Sequence, residues 1–391
     1  MNGWILRYEG YDPKLEGLRE TLCTLGNGYV ATRGAAAHAF ADGIHYPGTY
    51  LAGGYNRLTT EVAGHEVENE DLVNIPNWLP LVFAIDDGPW LRPEEVTYSD
   101  YRVELALREG VLYRDLRIQD PQGRTTRWQE RRLVSMADPH LAAIEVRLTP
   151  EDWSGRVTVR SALDGSVVNA GVPRYRELSS RHLEPLESAQ VEDDVILLRC
   201  RTVQSRREIV EAARTQLYRD GAILEAGCSL ERLPDSVAQD MTFEAAQGET
   251  TAVEKVVAIY TSRDMAISEP GLAALKLLEH AGRFESLLQE HWRAWSQLWQ
   301  HCGIEIETEA DSQVQMKLNL HIFHLLQTVS AHSIDLDVGV PPRGWHGEAY
   351  RGHIMWDELF IFPFLNLRAP VLTRALLRYR HRRILEARRA A

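Results

Sequence analysis
From the start of the chain to about Arg263, apolar and polar residues alternate in short runs. Residues 111–118, 156–160, 194–200 and 251–260 are examples, bounded by turn-forming stretches at 120–123, 164–165 and 247–248. A period of two marks strands with one buried face. Many such runs with no helical period between them predict a large antiparallel β-sandwich. Near Ser262 the period lengthens. Ser268 and Glu269 precede Pro270, which suits the first turn of a helix. Phe284, Leu288, Trp292, Trp295 and Trp299 then recur at steps of three and four, making one helical stripe. Its three Trp are expected in core or domain-interface packing rather than at a ligand. A second stripe, Val314, Leu318, Ile322, Leu325 and Val329, follows Asp311, a residue suited to an N-cap. Residues 335–352, rich in Gly and Pro, read as a long loop, the kind of segment that often carries function. Helices are expected again over 356–365 and from Pro370 onward.

Composition narrows the classes. A length of 391 residues favours more than one domain, and a hydrophobic fraction of 44% can build sizeable cores. The formal net charge of −13 argues against a nucleic-acid scaffold. Cys23, Cys200, Cys228 and Cys302 are scattered without metal-ligand spacing and read as reduced thiols. The opening MNGWILRYE lacks the segments of a secretion signal, and no apolar run is long enough to span a bilayer. A soluble, cytoplasmic protein with no membrane or nucleic-acid partner is expected. Gly26, Gly28 and Gly34 have the wrong spacing for dinucleotide binding, and no G-x-S-x-G occurs. The basic stretch 374–391 reads as a solvated helix face in preference to an anion-binding arm.

The richest chemistry lies in residues 343–358, RGWHGEAYRGHIMWDE. Two Trp, one Tyr, two His, two Arg and three carboxylates surround three Gly. That mixture suits a sugar site. Aromatic faces cover the C–H face of a pyranose, and carboxylates, imidazoles and guanidinium groups bind its hydroxyls. Trp356 and Asp357 stand at a predicted helix start, where the helix dipole favours an ionised carboxylate. Glu348, Tyr350, Arg351 and His353 are candidate neighbours from the loop. His346 reads as a solvated loop residue, and Glu358 as either a ligand contact or a structural pair. A metal reading of His346, Glu348, His353, Asp357 and Glu358 is weaker, because the two His are not spaced four apart.

Three stretches resemble glycoside hydrolase family 65, the maltose, trehalose and kojibiose phosphorylases and acid trehalases. They are ETLCTLGNGYVATRG at 20–34, YPGTYLAGGY at 46–55 continuing to LVNIPNWL at 72–79, and the run 343–358. The resemblance implies a fold that is β then α: a large antiparallel β-sandwich over 1–265, a helical linker over 266–308 and the first helices of an incomplete (α/α)6 barrel over 309–391. It implies that Trp356 and Asp357 line the subsite for the transferred glucosyl unit, with Tyr350, Arg351 and His353 as neighbours of that pocket. It further implies an inverting α-glucoside phosphorylase that acts on a disaccharide such as trehalose, maltose or kojibiose. No cofactor is expected, and inorganic phosphate is a co-substrate. A homo-oligomer is also expected. The family's general-acid Glu lies in a Gly-Pro-Asp-Glu-Tyr type of stretch that these residues lack, so it is expected beyond Ala391 and the chain alone is expected to be inactive. Two alternatives are a trehalase-like hydrolase and a non-catalytic carbohydrate-binding or assembly module. Trp345 departs from the smaller apolar residue usual in the family.

Overall fold
A computed structural model describes residues 3–306 and 312–390. Every strand pairing is antiparallel. Nine strands run in the order Ile5–Glu9, Thr97–Ala106, Val111–Gln119, Thr125–Val134, Leu141–Pro150, Thr251–Thr261, Glu208–Arg219, Val195–Thr202 and Leu183–Glu192. The short strand Ala222–Ile223 pairs with Glu208–Arg219 and completes this sheet. A second sheet holds Gly227–Leu233, Ser236–Ala245, Gly155–Asp164 and Leu81–Ile85, and a third holds Leu25–Gly26, Val30–Thr32, Thr49–Val62 and His65–Asn74.

Gly155–Asp164 shows the expected alternation, with Val157, Val159, Ser161 and Leu163 turned inward. Thr251–Thr261 and Leu141–Pro150 do not alternate; both are buried almost throughout. These strands lie mid-sheet and are covered on both faces. One face, carrying Ala142, Ile144 and Val146, joins a core with Val157, Val159 and Phe243 of the second sheet. Lys255 crosses this layer to reach the carbonyls of Pro80 and Ala162 at 3.1 and 2.7 Å. The other face, carrying Leu141, Ala143, Val256 and Ala258, packs under helices.

Seven α-helices complete the described structure: α1 (Pro13–Leu22), α2 (Pro270–His280), α3 (Phe284–Cys302), α4 (Ser312–Thr328), α5 (Glu358–Arg368), α6 (Pro370–Arg382) and α7 (Ile384–Ala390). Pro270 opens α2 as expected, and the Glu269 carboxylate caps it by accepting from the N–H groups of Gly271 and Leu272. The buried stripe of α3 differs from the one read in the sequence. It runs Phe284, Leu287, His291, Trp295, Trp299 and Cys302, while Trp292 is 51% exposed. His291 takes the inward place because two backbone partners satisfy it. Met136 N–H donates to Nδ1 at 2.9 Å, and Nε2–H donates to the Gly110 carbonyl at 3.1 Å. Burial pulls its pKa down to about 4, so the ring is neutral. Trp295 and Trp299 enter the main core, and Trp295 stacks on Phe323 of α4 at 4.7 Å between centroids. The helices therefore share one core with the sandwich. Asp311, read as the cap of α4, lies outside the described residues. No helix among the described residues is long and apolar enough to cross a membrane.

Candidate functional site
Residues 335–352 form the long loop expected, with one 3-10 turn at Ala349–Gly352. It lies between α4 and α5, and with the edge of the sandwich it walls a cleft of about 640 Å3. That lies within the range of small-ligand sites, roughly 300–1,000 Å3. Arg33, Tyr46, His321, His346, Glu348 and Asp357 are among its lining.

Asp357 sits at the N-cap of α5 with helical dihedrals, and its side chain does not cap the helix. Its carboxylate makes no hydrogen bond or ion pair with the described residues. It therefore faces the cleft with both oxygens available. Glu348 is the opposite case. Its Oε1 meets the hydroxyls of Tyr46 and Tyr50, the latter at 3.1 Å, and its Oε2 accepts from Gly171 N–H at 2.9 Å. Burial pushes its pKa up to about 7 against these donors. Glu348 thus pins the loop to the sandwich and turns its polar atoms inward.

The other expected site residues diverge. His353 Nε2 binds the Glu70 carbonyl at 2.8 Å and lines a different cleft. Arg351 lies 3.8 Å from the Asp71 carboxylate and over the Tyr175 ring at 5.0 Å. Tyr350 is 44% exposed. Trp356 is 66% exposed, packs on Phe360 and does not line the cleft. Of the six, only Glu348 and Asp357 meet in one cavity. Trp345 is buried against Ala31, Tyr50 and Leu72, and its Nε1–H donates to the Thr328 carbonyl at 2.9 Å. It holds the base of the loop. Glu358 is buried and structural: it accepts from Val340 N–H at 2.6 Å and pairs with Arg380 of α6 at 2.7 Å.

His346, read as a solvated loop residue, is only partly exposed. Its ring lies 4.3 Å from that of His324. Gln327 Nε2 approaches His324 Nδ1 at 2.7 Å and the Thr24 carbonyl at 3.0 Å. Burial lowers the pKa of both rings, that of His346 to about 4, so the wall they form is neutral. His321 and His324 were missed in the sequence, although a spacing of three on a helix puts both on one face. Tyr46, Tyr50 and Gly171 gave no local signal of contact with Glu348, which lies far along the chain.

The profile of glycosyl hydrolase family 65, N-terminal domain, matches residues 6–298, and that of the family's central catalytic domain matches 319–391. The chain belongs to glycosyl hydrolase family 65. An uncharacterized glycosyl hydrolase of Mycobacterium tuberculosis is 46% identical over 388 residues, covering 99% of this chain and 29% of that protein. A kojibiose phosphorylase of Caldanaerobacter subterraneus subsp. tengcongensis is 30% identical over 398 residues, covering 99% of this chain and 49% of that enzyme. A solved structure named "Putative kojibiose phosphorylase from human microbiome" superposes with a TM-score of 0.84 at 20% identity, covering 97% of this chain and 48% of that one, which shows a shared fold. The chain spans about half the length of the kojibiose phosphorylase and less than a third of the mycobacterial relative.

Proposed function
We propose that this family 65 chain supplies the β-sandwich (1–265), the helical linker (266–308) and the opening of the catalytic barrel (309–391) of an inverting α-glucoside phosphorylase. Its substrate is a glucose disaccharide such as trehalose, maltose or kojibiose, and the product with inorganic phosphate is β-glucose 1-phosphate. The observation that carries this reading is the unpartnered Asp357 carboxylate facing the cleft beneath the 335–352 loop. Two hydroxyls of one glucosyl ring can each donate to it, and such charge-assisted bonds are the strong ones. The neutral wall of His324 and His346 suits a sugar, which is uncharged.

Phosphorolysis with inversion needs one proton donor at the glycosidic oxygen and an attack by phosphate from the opposite face. Phosphate is already anionic, so no base is required. Neither buried Glu of this region suits the donor role. Glu348 is engaged by Tyr46, Tyr50 and Gly171, and Glu358 by Val340 and Arg380. We therefore assign the acid to no residue of this chain.

Product analysis by proton and phosphorus NMR tests the proposal. Purified full-length protein, given each disaccharide with and without phosphate, should release β-glucose 1-phosphate only when phosphate is present, and the 391-residue chain alone should give none. Glucose release independent of phosphate would replace the reading with a trehalase-like hydrolase. Disaccharide binding without any turnover in the full-length protein would replace it with a non-catalytic module.

A further inference from the structure
Between the sandwich and α6 lies a second cleft, of about 440 Å3, that shares no lining residue with the first. Two arginines converge in it. Arg207 donates to the Gly53 carbonyl at 2.7 Å, and Arg263 donates to the same oxygen at 3.2 Å. Arg263 also reaches the Leu336 carbonyl at 3.5 Å. Two guanidinium groups thus meet at one atom, and neither pairs with a carboxylate among the described residues.

The acids nearby are already engaged. Glu70 pairs with Arg57 at 2.7 Å, and Asp337 with Arg382 and Arg383 at 2.9 and 3.3 Å. Asp264, whose charge also acts on Arg207, accepts from the Tyr29 hydroxyl at 2.7 Å and Thr261 N–H at 2.6 Å. Burial, with the charge of Arg263, pulls the Arg207 pKa down to about 10. A desolvated cation beside a like charge and lacking a bonded counter-charge is costly. An anion between the two groups offsets both costs, and planar guanidinium forks match phosphoryl oxygens. Gly53, whose carbonyl holds both arginines, is left-handed at φ +70°, a conformation that suits glycine.

We propose that this cleft binds a phosphoryl dianion, free or carried by a phosphomonoester, between Arg207 and Arg263. Its occupant would touch the sandwich on one side and, through His353 and Arg383, the loop before Asp357 and α6 on the other. Because the two clefts have separate linings, an anion here cannot be the one that attacks a sugar beside Asp357. The proposal does not rest on the sugar reading.

Isothermal titration of the 391-residue chain with inorganic phosphate, and separately with glycerol 3-phosphate, a phosphomonoester that carries no glucosyl ring, tests it. The expected result is saturable binding that Arg263→Gln and Arg207→Gln each weaken at least about tenfold and that Asp357→Asn leaves unchanged. Tighter binding of glycerol 3-phosphate than of phosphate supports the proposal with a phosphomonoester as occupant; equal or weaker binding supports it with free phosphate. Absence of saturable binding by either probe overturns it, as does binding that survives both Arg variants. Melting curves supply a check on folding. In phosphate-free buffer Arg263→Gln, at an exposed position, should melt no lower than the wild type because the like-charge contact is relieved, and phosphate should raise only the wild-type midpoint. A lower midpoint in that buffer would make Arg263 a structural clasp on Gly53 and would also overturn the proposal.

Discussion

Replacing Glu348 with Gln should remove a pH dependence of stability that is written into its hydrogen bonds. Glu348 is 5% exposed. Gly171 N–H can only donate, so Oε2 must accept. On the other oxygen, the Tyr46 hydroxyl lies 2.8 Å from the Val168 carbonyl, which can only accept, and 2.9 Å from Ala170 N–H. If the Tyr46 proton goes to Val168, its oxygen is left to receive a proton from Glu348. A neutral carboxyl satisfies all of these groups at once, consistent with burial raising its pKa from 4.5 to about 7.

For an acid whose folded pKa lies above its unfolded one, the stabilisation is complete below the unfolded value and is lost as pH rises through the folded value. At about 1.4 kcal/mol for each pH unit separating the two, the chain loses roughly 3 kcal/mol across that window. Gln carries no titrating proton. Its carbonyl can accept from Gly171 and its NH2 can donate to the Tyr46 and Tyr50 oxygens; only the Tyr50 proton loses its acceptor, a loss that does not vary with pH. Urea unfolding followed by Trp fluorescence at about pH 5 and about pH 8, on both proteins, isolates the effect, because every other titrating group cancels in the difference. Wild-type stability relative to the variant should fall by roughly 3 kcal/mol between the two conditions. A flat difference would refute the neutral Glu348. A slope of opposite sign would show a carboxylate held charged, with Arg33 as its counter-ion.

Trp295→Ala should cost about 3–5 kcal/mol in thermal unfolding, whereas Trp292→Ala should stay within about 0.5 kcal/mol; equal losses would contradict the observed face of α3. Gly110→Ala should cost about 3 kcal/mol or more, since φ is +71° and the added Cβ would lie 2.1 Å from Trp295 Nε1; near-wild-type melting would show that Trp295 can yield. In steady-state phosphorolysis by the full-length protein, Asp357→Ala should lower kcat/KM about 100-fold or more, from two charge-assisted bonds at about 1.5–3 kcal/mol each. Unchanged kinetics there would leave Asp357 a structural role.

The β texture and its change to helix were legible because periods of two and 3.6 record which face is buried. That signal fails where both faces are covered, as in Thr251–Thr261, whose run of apolar residues reflects helices on one side and a second sheet on the other. It also slipped by one residue in the first half of α3, where Leu287 and His291 are buried in place of Leu288 and Trp292. Trp is a better apolar candidate than His, yet His291 is inside and Trp292 outside. The deciding partners, Met136 N–H and the Gly110 carbonyl, lie 155 and 181 residues away. No local pattern holds that information. The capping of α2 by Glu269, by contrast, is local, and Pro270 announced it.

The run 343–358 shows the same limit at the site itself. Its composition pointed to a binding loop, and a cleft is indeed built there, but adjacency in sequence did not become adjacency in space. Tyr350 and Arg351 are both left-handed at φ 55°, and Gly352 follows at 67°. Two non-glycine residues in that region cost roughly 1–3 kcal/mol each and persist only when the surroundings over-determine them. The surroundings here are one hairpin of the sandwich. Tyr55 donates to the Gly352 carbonyl at 2.6 Å, and the Glu70 carbonyl holds His353 at 2.8 Å, across 297 and 283 residues of chain. This turn sends Arg351 towards Asp71 and His353 into the second cleft, while Glu348 before it and Asp357 after it face the first. Which side chains share a cavity is thus decided by strands 49–74, and a reading confined to the motif could name the chemistry without sorting its members.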